Sequence, residues 1–162
     1  MSYQEKRTVM SIVAGVLILA AYCIYAFGKV QSGAVGLSDV KFFAVTILVF
    51  IGIGIAAMIV LQIIFHIMLS VSIAVKERTS DDKQIEKKIE ATMVEDEMDK
   101  LIELKSSRLG IAVTGAGFIA GLVTLALGSP PAVMLNILYL SFSAGSLAGG
   151  IMSIFYYRAG IR

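Results

Sequence analysis

Between Lys41 and Lys76 the chain reads FFAVTILVFIGIGIAAMIVLQIIFHIMLSVSIAV, 34 residues (Phe42–Val75) without an Asp, Glu, Lys or Arg. A bilayer's hydrocarbon core is about 30 Å thick and holds no water to satisfy backbone groups, so a helix of about 20 apolar residues crosses it. At about 1.5 Å per residue this run is roughly 50 Å long, and the helix must tilt or project beyond the bilayer. Projection is the simpler reading. Three more charge-free stretches of spanning length flank it. The spans are expected near Thr8–Phe27, Phe42–Phe65 (the helix continuing to about Val75), Leu109–Leu127 and Ala132–Tyr156. The expected fold is all-α, an integral membrane four-helix bundle of two helical hairpins, with residues 1–162 as a single membrane domain.

Composition agrees with this reading. Apolar residues are 57% of the 162 and charged ones 16%, too few to build a water-facing surface around one domain. Eight basic and ten acidic side chains lie between Lys76 and Arg108, which therefore reads as a cytoplasmic helical insert between spans two and three. Lys6, Arg7, the basic residues of the insert, Arg158 and Arg162 fall on one side of the spans, against Lys29 and Lys41 on the other. Basic residues favour the cytoplasmic side, so both termini and the insert are expected in the cytoplasm. Tyr22 before Cys23 argues against lipoprotein acylation. The lone Cys23 reads as a small buried apolar residue.

The turns fit two hairpins. Ser38 is suited to cap span two, with Asp39 in its first turn. In Gly128-Ser129-Pro130-Pro131, the glycine ends one helix and Pro131 begins the next. Spans one and three both follow basic residues and end in Gly28 and Gly128, as a diverged parallel repeat would, but residue identity between the two halves is too low to carry that reading.

Helices in lipid associate by close packing, which small residues permit. Ser141, Gly145, Gly149 and Ser153 recur every four residues on span four, and span three offers Gly117 and Gly121. These are expected as helix-packing residues, either within the bundle or in a homo-oligomer. No Asp, Glu, Lys or Arg lies inside a span, which disfavours proton-coupled transport. Asn136 is expected to tie two helices together. His66 has no partner in sequence for a metal site, and reads as interfacial.

Within the insert, Ser80 followed by Asp81 and Asp82 starts a helix. Ile85, Ile89 and Met93 form one apolar stripe and Val94, Met98 and Leu101 a second, about 150° around the helix from the first. One straight helix cannot aim both at one surface. The phase change falls on Thr92-Met93-Val94-Glu95, a capping-box pattern, so a break is expected near Thr92–Glu95. The second helix would begin at about Glu95, carry an Asp96–Lys100 pair and run into span three. Glu95, Asp99 and Glu103 read as a solvated acidic face, since nothing supplies the loop a calcium site needs. No catalytic set, metal cluster or nucleotide loop is present in the sequence. The chain is therefore expected not to be an enzyme, to carry no cofactor or metal, and to make no direct contact with nucleic acid.

The run DEMDKLIELKSSR at Asp96–Arg108, the opening MSYQEKRTVMS, GSPPAVM at the last turn and the closing YYRAGI together resemble a family of small bacterial four-span inner-membrane proteins with no assigned activity. Members usually carry two basic residues before the closing glycine, whereas Ala159 follows Arg158 here. The resemblance implies a bacterial cytoplasmic membrane. Genes of the family often neighbour small helix-turn-helix regulators, which implies a regulatory partnership. The leading expectation is an interaction protein that binds such a partner through Ile85, Ile89, Met93, Val94, Met98 and Leu101, with its bundle in membrane lipid. The alternative is a small oligomeric channel or transporter built on the Gly/Ser face of span four.

Overall fold

The computed structural model describes residues 3–77 and 96–160. Among these, four helices form in chain order: α1 (Tyr3–Gln31), α2 (Val40–Glu77), α3 (Glu97–Ala126) and α4 (Pro131–Ala159). No strand occurs among the described residues, and all four helices are long and apolar enough to cross a membrane. The run that opened the sequence reading forms one unbroken helix of 38 residues, about 57 Å long. α3 runs from the end of the charged insert straight through the third apolar stretch.

Three helix ends show how local chemistry sets the boundaries. The Asp39 carboxylate accepts the Phe42 N–H at 3.0 Å, so Asp39, and not Ser38, caps α2. α3 starts at a capping box formed by Asp96 and Asp99. The Asp99 N–H donates to Asp96 Oδ1 at 2.7 Å, and the Asp96 N–H donates to Asp99 Oδ2 at 3.3 Å. Asp96 is thus spent on the cap instead of on Lys100, because a carboxylate beside free amide donors satisfies groups that an exposed pair with Lys100 would leave bare. The expected break at Thr92–Glu95, and Ile85, Ile89, Met93 and Val94 with it, lie outside the described residues. Between α3 and α4, Gly128 takes φ +84°, with Gly128 N–H on Leu125 O and Ser129 N–H on Thr124 O. This is the paired closure that a left-handed residue allows, and Pro131 starts α4 where no amide donor is required.

α4 is the hub, packing against each of the other three helices, and α3 packs principally on α4. The α3–α4 seam is built from small residues. A Cβ added to Gly145 would strike the Thr114 hydroxyl and come within 2.6 Å of the Gly110 carbonyl oxygen. One added to Gly117 would collide with Ser141, and one on Gly121 would press on Met134. Gly149 meets the Ser106 carbonyl a turn further on. With no side chain between them, the two backbones reach a separation that larger residues forbid. Ser153 is half-buried and lies beyond the seam.

The α1–α2 hairpin is made differently, from aromatic groups. Tyr22, Ala26, Phe43 and Ala132 are buried together near the interhelical turns. The Tyr22 ring meets Phe50 edge-on at 5.4 Å and Tyr139 at 4.4 Å. The Tyr22 hydroxyl donates to Asn136 Oδ1 at 2.6 Å, and Asn136 Nδ2 donates to the Ala132 carbonyl at 2.7 Å. Asn136 thus ties α4 to α1.

Gly145→Ala should destabilise the purified protein in detergent by about 1–3 kcal/mol, since a new methyl has no room at the seam. Gly115→Ala, whose Cβ would meet nothing within 4 Å, should be neutral or stabilise by up to about 1 kcal/mol. Thermal or denaturant unfolding of the two variants checks both signs.

Candidate functional site: the cleft and the start of α3

At the end of the bundle where α1 and α3 begin and α4 finishes, adjacent α4 residues reach different neighbours. Tyr157 OH donates to Asp99 Oδ1 of α3 at 2.7 Å, and Arg158 Nε donates to Glu5 Oε1 of α1 at 3.0 Å. Successive helical residues point about 100° apart, which lets one turn of α4 hold both helices. The Glu5 side chain is only 8% exposed. Its pairing with a guanidinium offsets the cost of taking that carboxylate out of water. Both Asp99 oxygens are occupied, one by Tyr157 and one by the Asp96 amide.

The Tyr157–Asp99 contact holds the start of α3 in the rotation that its seam with α4 sets. Ile102 (2% exposed) and Ser106 face inward, and Met98, Leu101 and Leu104 face outward at 50–61% exposure. Of the second expected stripe, the two residues described are therefore both on the outer face. The anchor is Ile102, which the stripe analysis passed over. It lies four residues before Ser106 and eight before Gly110, so extending the small-residue line of span three by two turns would have found it. Asp99 is half-buried rather than solvated, because Tyr157 covers it. Glu103, one turn on, is exposed as expected.

Between α1 and α2 on one side and α3 on the other, floored by α4, runs a cleft of about 930 Å³. Its mouth carries Gln4, Arg7, Thr8 and Ser11 from α1, Asp99 and Glu103 from α3, and Tyr157 from α4. Its interior is mainly apolar, with Ile12, Leu19, Phe50, Leu138 and Phe142 among the walls, and Ser143, Ser146 and Ser153 of α4 add hydroxyl groups. A second cavity of about 900 Å³ lies along α3 and α4 and shares Thr8, Ser106, Phe142, Ser146, Gly150 and Ser153 with the first. Volume and lining fall in the range of small-molecule sites, apolar walls with a few convergent polar groups. The charge-free spans gave no signal for this cleft, because its walls come from four helices far apart in sequence.

His66 is exposed on α2, and among the described residues no three metal-ligating side chains converge. Gln62 is exposed on the same helix. Beyond Met58, α2 contributes nothing to the cleft walls.

A double-mutant cycle with Tyr157→Phe and Asp99→Asn should give a coupling of about 1.5–3 kcal/mol in unfolding free energy, the size of a hydrogen bond to a charged group. Additive effects would remove the pin on α3. Comparison of the chain with protein-family models, curated proteins and solved structures gives no match, so the functional reading rests on this geometry.

Proposed function

We propose that the chain is a multi-pass protein of a bacterial cytoplasmic membrane, acting without catalysis by binding a cytoplasmic partner through the segment 76–108. The partner is taken to be a small helix-turn-helix regulator, as the resemblance implies. The observation that carries the reading is the outward face of α3. Met98 and Leu101 are about half exposed on a helix end rich in charge, and the cap, Tyr157 and Ile102 keep that face turned from the bundle. An apolar stripe among charged residues at a helix start is suited to helix-in-groove recognition. At about half exposure, neither side chain is buried within the described bundle.

Membrane placement is supported by the four apolar helices and by where the basic residues gather. Lys6, Arg7, Lys100, Lys105, Arg108 and Arg158 lie at one end of the bundle, and Lys29 and Lys41 at the other. That asymmetry assigns the first end to the cytoplasm. A channel built on the span-four Gly/Ser face finds less support, since Ser141, Gly145 and Gly149 are occupied by α3 of the same chain.

In a Cys23→Ala background, cysteines at Ser32 and Ser129 should react with an impermeant maleimide on intact cells, and one at Ala159 only after permeabilisation. The reverse pattern would invert the orientation. Met98→Asp with Leu101→Asp should abolish co-purification of a helix-turn-helix protein with the solubilised chain, while leaving its membrane insertion unchanged. Undiminished capture by that variant sinks the partner-binding reading.

A further inference from the structure

The cleft mouth carries two charges left unmatched within the described structure, and they have opposite sign. Asp99 is fully engaged by Tyr157 and the Asp96 amide, and Glu5 is paired with Arg158. Arg7 on the α1 wall and Glu103 on the α3 wall make no ion pair among the described residues, with each other or with a third group. Two opposite charges facing one cleft from separate helices within a few turns of an apolar interior are complementary to a zwitterion with a tail.

We propose that the cleft is a binding site for one phosphatidylethanolamine molecule, its phosphate on Arg7, its ammonium on Glu103 and its acyl chains along the apolar walls. The inference assumes the membrane placement argued above. Each part of that lipid meets a matching part of the cleft. A guanidinium presents a planar fork of donors to phosphate, and a carboxylate accepts N–H from a primary ammonium. Choline has no N–H to donate to Glu103. An anionic lipid would set its charge near Glu103 and the neighbouring Asp99, with Arg7 the one cation among the described lining residues to answer it. A simple lipophilic cation would leave Arg7 unmatched. Thr8 and Ser11 lie beside Arg7 on the same wall, so hydroxyl groups meet the level of the ester linkages.

Length supports the same occupant. The α1 wall runs from Gln4 to Leu19, about 22 Å of helix, and the α4 wall from Tyr157 to Leu135, about 33 Å. One leaflet with its headgroup region is about 20–22 Å thick, so a lipid with its head at Arg7 and Glu103 finds a mainly apolar wall of matching length, interrupted on α4 by serines.

The test uses the full chain purified in detergent, with native mass spectrometry against phosphatidylethanolamine, phosphatidylglycerol and phosphatidylcholine of identical acyl chains, and with hexadecylammonium. The expected result is one retained phosphatidylethanolamine, with each other lipid held at least tenfold more weakly. Arg7→Gln and Glu103→Gln should each weaken retention about tenfold, as loss of one charge-assisted hydrogen bond implies. Ser146→Phe, which places a ring in the cleft from an exposed α4 position, should block it while helicity by circular dichroism stays unchanged. Equal retention of the three lipids, preference for phosphatidylglycerol, or hexadecylammonium bound as well as the zwitterion and unaffected by Arg7→Gln would each overturn the proposal. The maleimide pattern reports membrane placement separately, so an intact topology without lipid selectivity removes the lipid site alone.

Discussion

The missing side chains at Gly110, Gly117 and Gly145 are the constraint on which the rest of this molecule hangs. In lipid the apolar tails compete on equal terms with apolar side chains, so two helices stay together only where their backbones come close enough for dense van der Waals contact. α3 has α4 as its principal partner, and those glycines with Ser106 and Ser141 make the contact. Everything α3 presents follows from that seam. It sets which residues turn inward, Ile102 and Ser106, and hence which turn outward, Met98, Leu101 and Leu104.

Polar pins then hold what packing alone leaves free. The seam orients α3 against α4 along the spans, and side-chain hydrogen bonds hold the ends of the helices. Tyr22 with Asn136 near the interhelical turns, and Tyr157 with Asp99 and Arg158 with Glu5 at the far end, fix α4 against α1 and α3. The aromatic cluster around Tyr22 closes one end of the bundle. At the other end α2 lines the cleft only as far as Met58 and α3 has no broad contact with α1, so the same helices leave the amphiphilic cleft between them.

Much of the architecture was readable along the chain because it depends on local rules. Apolar run length predicts the helices, the Gly-Ser-Pro-Pro turn predicts the tight hairpin, and spacing by four predicts a close-packing face on span four. Cap placement was legible only to within a few residues. Ser38 and Asp39 are both chemically able to cap α2, and Asp39 does so because its carboxylate reaches the Phe42 amide. At the start of α3 a capping box forms at Asp96 and Asp99, which the sequence reading did not anticipate, while Thr92 and Glu95 lie outside the described residues. Asp99 was read as solvated because its cover, Tyr157, lies 58 residues away.

The sequence by itself determined that four helices of spanning length form, where the charge gathers, and that small residues line the faces of spans three and four. Those properties reside in runs of neighbouring residues and in helical periodicity. Only the tertiary structure decided that the Gly/Ser face is consumed within the chain, that Glu5 and Arg158 meet across almost the whole sequence, and that Arg7 and Glu103 face one cleft. Such pairings depend on how whole helices rotate and cross. That is settled by the sum of all their contacts, and no local pattern encodes it.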